Sequence, residues 1–120
     1  MKVLVIDDEQ DIRLVAQVGL RAAGMSVLVA ENGADGVRVA QTEQPDVILL
    51  DVMMPGLDGF ATFSALKTDA DTAAIPVIFL TAKDPSGRDT QTRTEGAAGF
   101  IMKPFQPRDL PVQLKTILGI

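Results

Sequence analysis

The sequence contains neither cysteine nor histidine. Without thiols there is no disulfide framework and no thiolate metal site, and a reducing compartment is compatible with the chain. Without imidazole, zinc chemistry and histidine-based acid/base catalysis are excluded. Long apolar runs are missing too, so no segment reaches the length that crosses a bilayer. Met1-Lys2 leads straight into a strand-like run, and neither a signal peptide nor membrane insertion is expected. Basic residues are few, 11 against 16 acids, for a formal charge of −5. Phosphate contacts need a basic surface, so no direct nucleic-acid binding is expected and any DNA output falls to another chain or domain. A cytoplasmic location is the expectation.

The composition that remains is globular, with 47% hydrophobic and 22% charged residues. At 120 residues the chain is long enough for a sizeable core, and residues 1–120 are read as a single domain. Val47-Ile48-Leu49-Leu50 is an apolar run of the kind found in strands buried on both faces. It stops at Asp51, after which Met-Met-Pro-Gly and Asp-Gly supply turn chemistry. Taken alone, an aspartate there merely ends a strand.

The same pattern recurs along the chain. Val3-Leu4-Val5-Ile6 runs into Asp7-Asp8-Glu9, and Val77-Ile78-Phe79-Leu80 into Thr81. Gly99-Phe100-Ile101-Met102 runs into Lys103, while Val27-Leu28-Val29 leads to the turn residues Asn32-Gly33. Between these runs lie helical patterns. The first carries Ile12, Val15, Ala16, Gly19 and Ala23 on one face and ends at Gly24. The second carries Val37 and Ala40, a third spans residues 60–67, and the last uses Leu110, Leu114 and Ile117. Such alternation predicts a parallel α/β sheet with helices on both faces. In a sheet of this kind the carboxyl ends of the strands share one edge, where ligands bind.

Asp7, Asp8, Asp51, Thr81 and Lys103 therefore converge on one rim. Three carboxylates in a small space repel, so either a cation joins them or one takes up a proton. An all-oxygen donor set points to magnesium, or to manganese. Alternatively, Asp7 and Asp8 cap the helix that follows them. Lys103 and Thr81 turn a bare metal site into a phosphoryl site, because an ammonium and a hydroxyl suit phosphate oxygens. A carboxylate beside them can attack phosphorus and form an acyl phosphate.

The sequence here resembles the receiver domain of two-component response regulators. The resemblance rests on Val-Ile-Asp-Asp-Glu at 5–9, Leu-Leu-Asp-Val-Met-Met-Pro-Gly-Leu-Asp-Gly at 49–59, Thr-Ala-Lys at 81–83 and Lys-Pro-Phe at 103–105, and it covers essentially the whole chain. It implies a CheY-like, flavodoxin-like doubly wound sheet of five parallel strands in the order 2-1-3-4-5. It implies that Asp51 accepts a phosphoryl group from a phosphohistidine on a sensor histidine kinase or histidine phosphotransfer protein, with a downstream protein as target. Asp8 and Asp51, together with the backbone carbonyl of Met53, would ligate Mg2+, with Asp7 assisting. Lys103 would pair with a phosphoryl oxygen, across a Lys103–Pro104 bond expected to be cis, and Thr81 and Phe100 would form the switch. Leu14 and Val18 form an apolar stripe on the first helix, either a broad core contact or a docking patch for the kinase.

Some positions depart from the family pattern. Phe100 has no hydroxyl, and residues 84–95 lack large apolar side chains, which predicts a short, mobile or displaced fourth helix. Pro111 has to fall in the first turn of the last helix, with Asp109 as its predicted cap. Lys83, two residues after Thr81, is expected to reach a phosphoryl group at Asp51 and alter its lifetime. Competing readings are a Mg-dependent phosphatase, a flavin-binding electron carrier and a degenerate receiver serving as a scaffold. A dehalogenase-type phosphatase wants a second aspartate where Met53 stands, and Asp7-Asp8-Glu9 would repel a flavin phosphate.

Overall fold

Each apolar run forms a strand at its predicted place in a computed structural model that describes residues 1–54, 56, 58–82, 87 and 93–120. The strands are β1 (Lys2–Ile6), β2 (Ser26–Ala30), β3 (Val47–Asp51), β4 (Val77–Thr81) and β5 (Gly99–Met102). They pair in parallel in the order β2-β1-β3-β4-β5. Between and after them, among the described residues, run α1 (Gln10–Ala22), α2 (Gly33–Glu43), α3 (Gly59–Thr68) and α4 (Leu110–Leu118).

The period of a strand divides the core in two. Val3, Val5, Leu49, Ile78 and Leu80 face one side, where Ala16 and Leu20 of α1 and Leu110 and Leu114 of α4 cover them. Leu4, Ile6, Ile48, Leu50 and Phe79 face the other, beneath Ala40 of α2 and Phe63 and Leu66 of α3. Each fully buried side chain of this size stabilises the fold by about 1.5–3 kcal/mol relative to exposure. Four of the five phenylalanines gather on the second side, where Phe79 meets Phe60, Phe63 and Phe100 at centroid distances of 6.0, 5.1 and 5.9 Å.

Helix ends follow local chemistry. Asn32 caps α2 by accepting from Asp35 N–H at 2.8 Å, and Asp58 caps α3 by accepting from Ala61 N–H at 2.8 Å. Gly24, at φ +83°, closes α1 as predicted: its N–H donates to Arg21 O, and Met25 N–H reaches back to Leu20 O. Two expectations at helix ends need correction. Ala23, expected at helical spacing with the apolar face of α1, is exposed just beyond the end of the helix, and the last buried residue of α1 is Leu20, one turn inside. Asp109 does occupy the position before α4, but in helical backbone conformation and with no capping hydrogen bond. Pro111 lies in the first turn, where it displaces no helical bond.

Gly59 is where α3 meets the end of β3. An added Cβ would fall 2.2 Å from Asp51 O, and its N–H donates to Val52 O at 3.1 Å. The expectations for residues 84–95 and for Lys83 fall on or around positions outside the described residues.

Candidate phosphoryl and cation site

Register carries the polar residues to one rim. β1 and β3 are side by side, so Asp7, just past Ile6, comes close to Asp51, the last residue of β3. Asp51 pairs with Leu80, which sets Thr81 one step further along the same edge. Beyond β5 the sheet hydrogen bonding continues for one residue, Lys103 N–H donating to Thr81 O at 2.7 Å, and this delivers the lysine to the rim. The Lys103–Pro104 bond is cis, as the resemblance implies.

The lysine ammonium joins two carboxylates. Nζ lies 2.9 Å from Asp7 Oδ2 and 3.1 Å from Asp51 Oδ1, with Glu9 Oε1 at 3.8 Å. Asp51 Oδ1 also accepts from Met53 N–H at 3.3 Å. Asp7 Oδ1 accepts from Glu9 N–H at 2.9 Å, and the Asp7 carbonyl accepts from Arg13 Nη1 at 2.7 Å. Asp7 is thus fully buried and anchored at both ends, whereas Asp8 is exposed to solvent. The capping alternative for these acids is not what forms, since Glu9 and not Asp7 or Asp8 holds the position before α1, and Glu9 makes no side-chain capping bond.

The electrostatics follow from burial and crowding. Burial pushes the Asp51 carboxyl up to about 6, the Asp7 charge adds to this, and the hydrogen bonds from Lys103 and Met53 only partly offset it. Burial draws the Lys103 ammonium down, but its contacts with Asp7 and then Asp51 outweigh that and leave it above the usual lysine range. Asp51 rises through burial and the charge of Asp7, whereas Lys103 rises because one ammonium faces several acids.

Among the described residues, two buried side-chain oxygens remain without a hydrogen bond. Asp51 Oδ2 accepts none, and Asp7 Oδ2 meets Lys103 as an ion pair but without hydrogen-bond geometry. A buried oxygen left in that state is costly, and a cation relieves it. One oxygen each from Asp7, Asp8 and Asp51 lies within 4.8 Å of the others, close enough to share one ion. The donor set is hard oxygen throughout, the kind that magnesium or manganese takes.

The remaining predicted residues divide. Thr81 is buried at the rim, and Met53 is exposed beside Asp51 with its N–H turned to the carboxylate. Phe100 is not at the rim: it is half-buried, stacked on Phe79 at an interplanar angle of 23°. Leu14 and Val18 are exposed on α1, so the broad core contact considered for them is not made. Sequence reasoning assigned no role to Glu9 or Arg13. For Glu9 the signal was its place in the acidic run after β1, while a bond from Arg13 to a backbone carbonyl leaves no mark in the sequence. The nearby concavity of about 400 Å³ lined by Arg13, Glu31, Asp35 and Arg38 is a separate feature, open and of mixed charge.

Residues 3–115 match the family described as the response regulator receiver domain. The chain is 41% identical over 119 residues to protein PilH of Pseudomonas aeruginosa, covering 99% of this chain and 96% of PilH. It is 42% identical over 116 residues to the phosphate regulon transcriptional regulatory protein PhoB of the same organism, covering 97% of this chain but 51% of PhoB. Among solved structures, the chemotaxis protein CheY4 of Vibrio cholerae superposes with a TM-score of 0.89 at 31% identity, covering 97% of each chain.

Proposed function

Since this chain belongs to the response regulator receiver domain family, we propose that Asp51 is its phosphoacceptor and that Asp7, Asp8 and Asp51, with the Met53 carbonyl, hold Mg2+ or Mn2+. The observation that carries this reading is the Lys103 ammonium held between Asp7 and Asp51 beside Asp8, with a buried oxygen on each of the first two lacking a hydrogen bond.

An Asp51 oxygen attacks the phosphorus of a phosphohistidine on a sensor histidine kinase or phosphotransfer protein. The P–N bond breaks as the P–O bond forms, and the imidazole departs as the leaving group. Lys103 neutralises a phosphoryl oxygen and so stabilises charge that develops during transfer. When bound, the cation supplies further neutralisation of the carboxylates and the phosphoryl group. Met53 N–H and Lys103 hold the carboxylate of Asp51 in place. Thr81, buried one register step past the partner of Asp51, brings its hydroxyl to the product. Phe100 is the aromatic element of the switch; lacking a hydroxyl, it works by burial against Phe79.

On this reading residues 1–120 form one receiver domain, a regulatory domain that catalyses only its own phosphorylation and dephosphorylation. It receives from the kinase across the exposed Leu14 and Val18 and passes the signal to a downstream protein. None of the helices among the described residues is long and apolar enough to cross a membrane. The phosphatase, flavin-carrier and scaffold readings have no observation of their own in the site.

The deciding experiment is incubation with Mg2+ and acetyl phosphate, followed by intact mass measurement. Wild type is expected to gain one phosphoryl group and Asp51→Asn none; equal gain by both removes Asp51 from the role. Leu14→Asp is expected to slow transfer from the kinase while leaving acetyl phosphate acceptance intact, and equal loss from both donors rejects docking at α1.

A further inference from the structure

Lys103 faces one carboxylate more than the proposed site uses. Glu9 brings Oε1 to 3.8 Å from the ammonium, yet it stands outside the trio whose oxygens converge. It occupies the position before α1, where a short Asp, Asn, Ser or Thr side chain would accept from the first helical N–H groups and where the longer glutamate is free to reach elsewhere. Here it makes no such bond, and its carboxylate lies on the lysine side instead. Its backbone is tied to the site, because its own N–H donates to Asp7 Oδ1 at 2.9 Å.

A divalent cation and an ammonium compete for the same oxygens. Lys103 is engaged with one oxygen of Asp7 and one of Asp51, two of the three carboxylates open to an ion. Like charges at contact distances repel strongly where water is largely displaced, so the ammonium has to withdraw as the ion enters. A lysine whose side chain is only 11% exposed cannot give up both partners without a penalty. Among the described residues, Glu9 is the one acid within ion-pair distance of it that is not also a candidate ligand.

We infer that Glu9 is a positioning residue for Lys103, receiving its ammonium as a divalent cation takes Asp7 and Asp51 and keeping the lysine at the rim for an incoming phosphoryl oxygen. The inference rests on the receiver reading and adds a fourth acid whose work is to hold the lysine rather than the ion.

The test is Mn2+ titration of the full chain, with free ion read by electron paramagnetic resonance and no phosphorylation involved. Glu9→Gln is expected to weaken binding roughly threefold to tenfold, the scale of one partly exposed charged contact. Glu9→Asp keeps the charge but shortens the reach, and it is expected to weaken binding to a similar extent; wild-type affinity there would mean a general field effect and overturn the inference. Asp11→Asn, which removes an exposed acid from the first turn of α1, is expected to leave affinity nearly unchanged, and a loss equal to that of Glu9→Gln overturns it too. In a Lys103→Met background the Glu9→Gln effect is expected to vanish. Persistence there would make Glu9 a partner of the ion itself and end its role as a holder of the lysine. A wild type that binds no Mn2+ overturns the cation site, and Glu9 with it, whereas a binding wild type with indifferent Glu9 variants overturns only the inference.

Discussion

Leu50 and Asp51 are neighbours on one strand, both almost inaccessible to solvent, at 0% and 3%. Their burial has opposite consequences. Leu50 leaves water for a packed apolar layer, which stabilises the fold. Asp51 leaves water for a rim where a second carboxylate is already buried, and its charged form is penalised. The strand interior thus supplies the stability that allows its last residue to sit in an unfavourable place. Such residues are poised for ligands, since a cation or a phosphoryl group at the rim relieves what folding leaves unrelieved.

The largest expected effect that tests this contrast lies in the interior. Leu49→Ala should lower unfolding free energy by about 3–4 kcal/mol, read from denaturant melts, because a fully buried leucine leaves a cavity. It should leave phosphoacceptance intact wherever the chain remains folded; loss of acceptance in the folded variant would show that interior and rim are not separable.

Next comes the ion. Mg2+ at a hundred times its dissociation constant should stabilise wild type by about 2.7 kcal/mol, seen as a rise in Tm that chelation reverses. Asp51→Asn should show much less of that rise. An equal rise in both would place the ion elsewhere.

The third test separates burial from pairing. The folded value of Asp51, about 6, lies above the ordinary aspartate value of 3.8. The folded state therefore holds the proton more tightly, and this contribution is complete below about 3.8 and is lost as pH rises through about 6. In ion-free buffer Asp51→Asn should consequently be more stable than wild type at pH 7.5, by on the order of 2 kcal/mol, with the gap closing towards pH 4. A gap of the opposite sign would mean that Lys103 outweighs burial.

The smallest effect is remote from the rim. Asp58→Ala removes the cap of α3 and should cost about 1 kcal/mol with little change in ion affinity, as melts and Mn2+ titration would register.

Most of the fold is written in short apolar runs that end in polar residues. β3 could be placed from Val47 to Asp51 because both faces of that strand are covered, which leaves a run without alternation. The gathering of Asp7, Asp51 and Lys103 was legible for a topological reason: strand ends of a parallel sheet share an edge. What escaped reading depends on side-chain direction or on distant backbone. Leu20 and Ala23 are three residues apart, and spacing alone could not say that α1 would stop before the second. Phe100 is half-buried on the outermost strand, and its partner Phe79 is chosen by the register between β4 and β5. Glu9 reads as one more surface acid until the lysine from beyond β5 arrives beside it.

Gly59 leaves no clearance between the first residue of α3 and the main chain of Asp51. Any shift at the end of β3 is therefore passed to that helix without slack, as in a linkage machined to zero play. Widening that joint with a single methyl group would force the two parts to separate before any signal arrived.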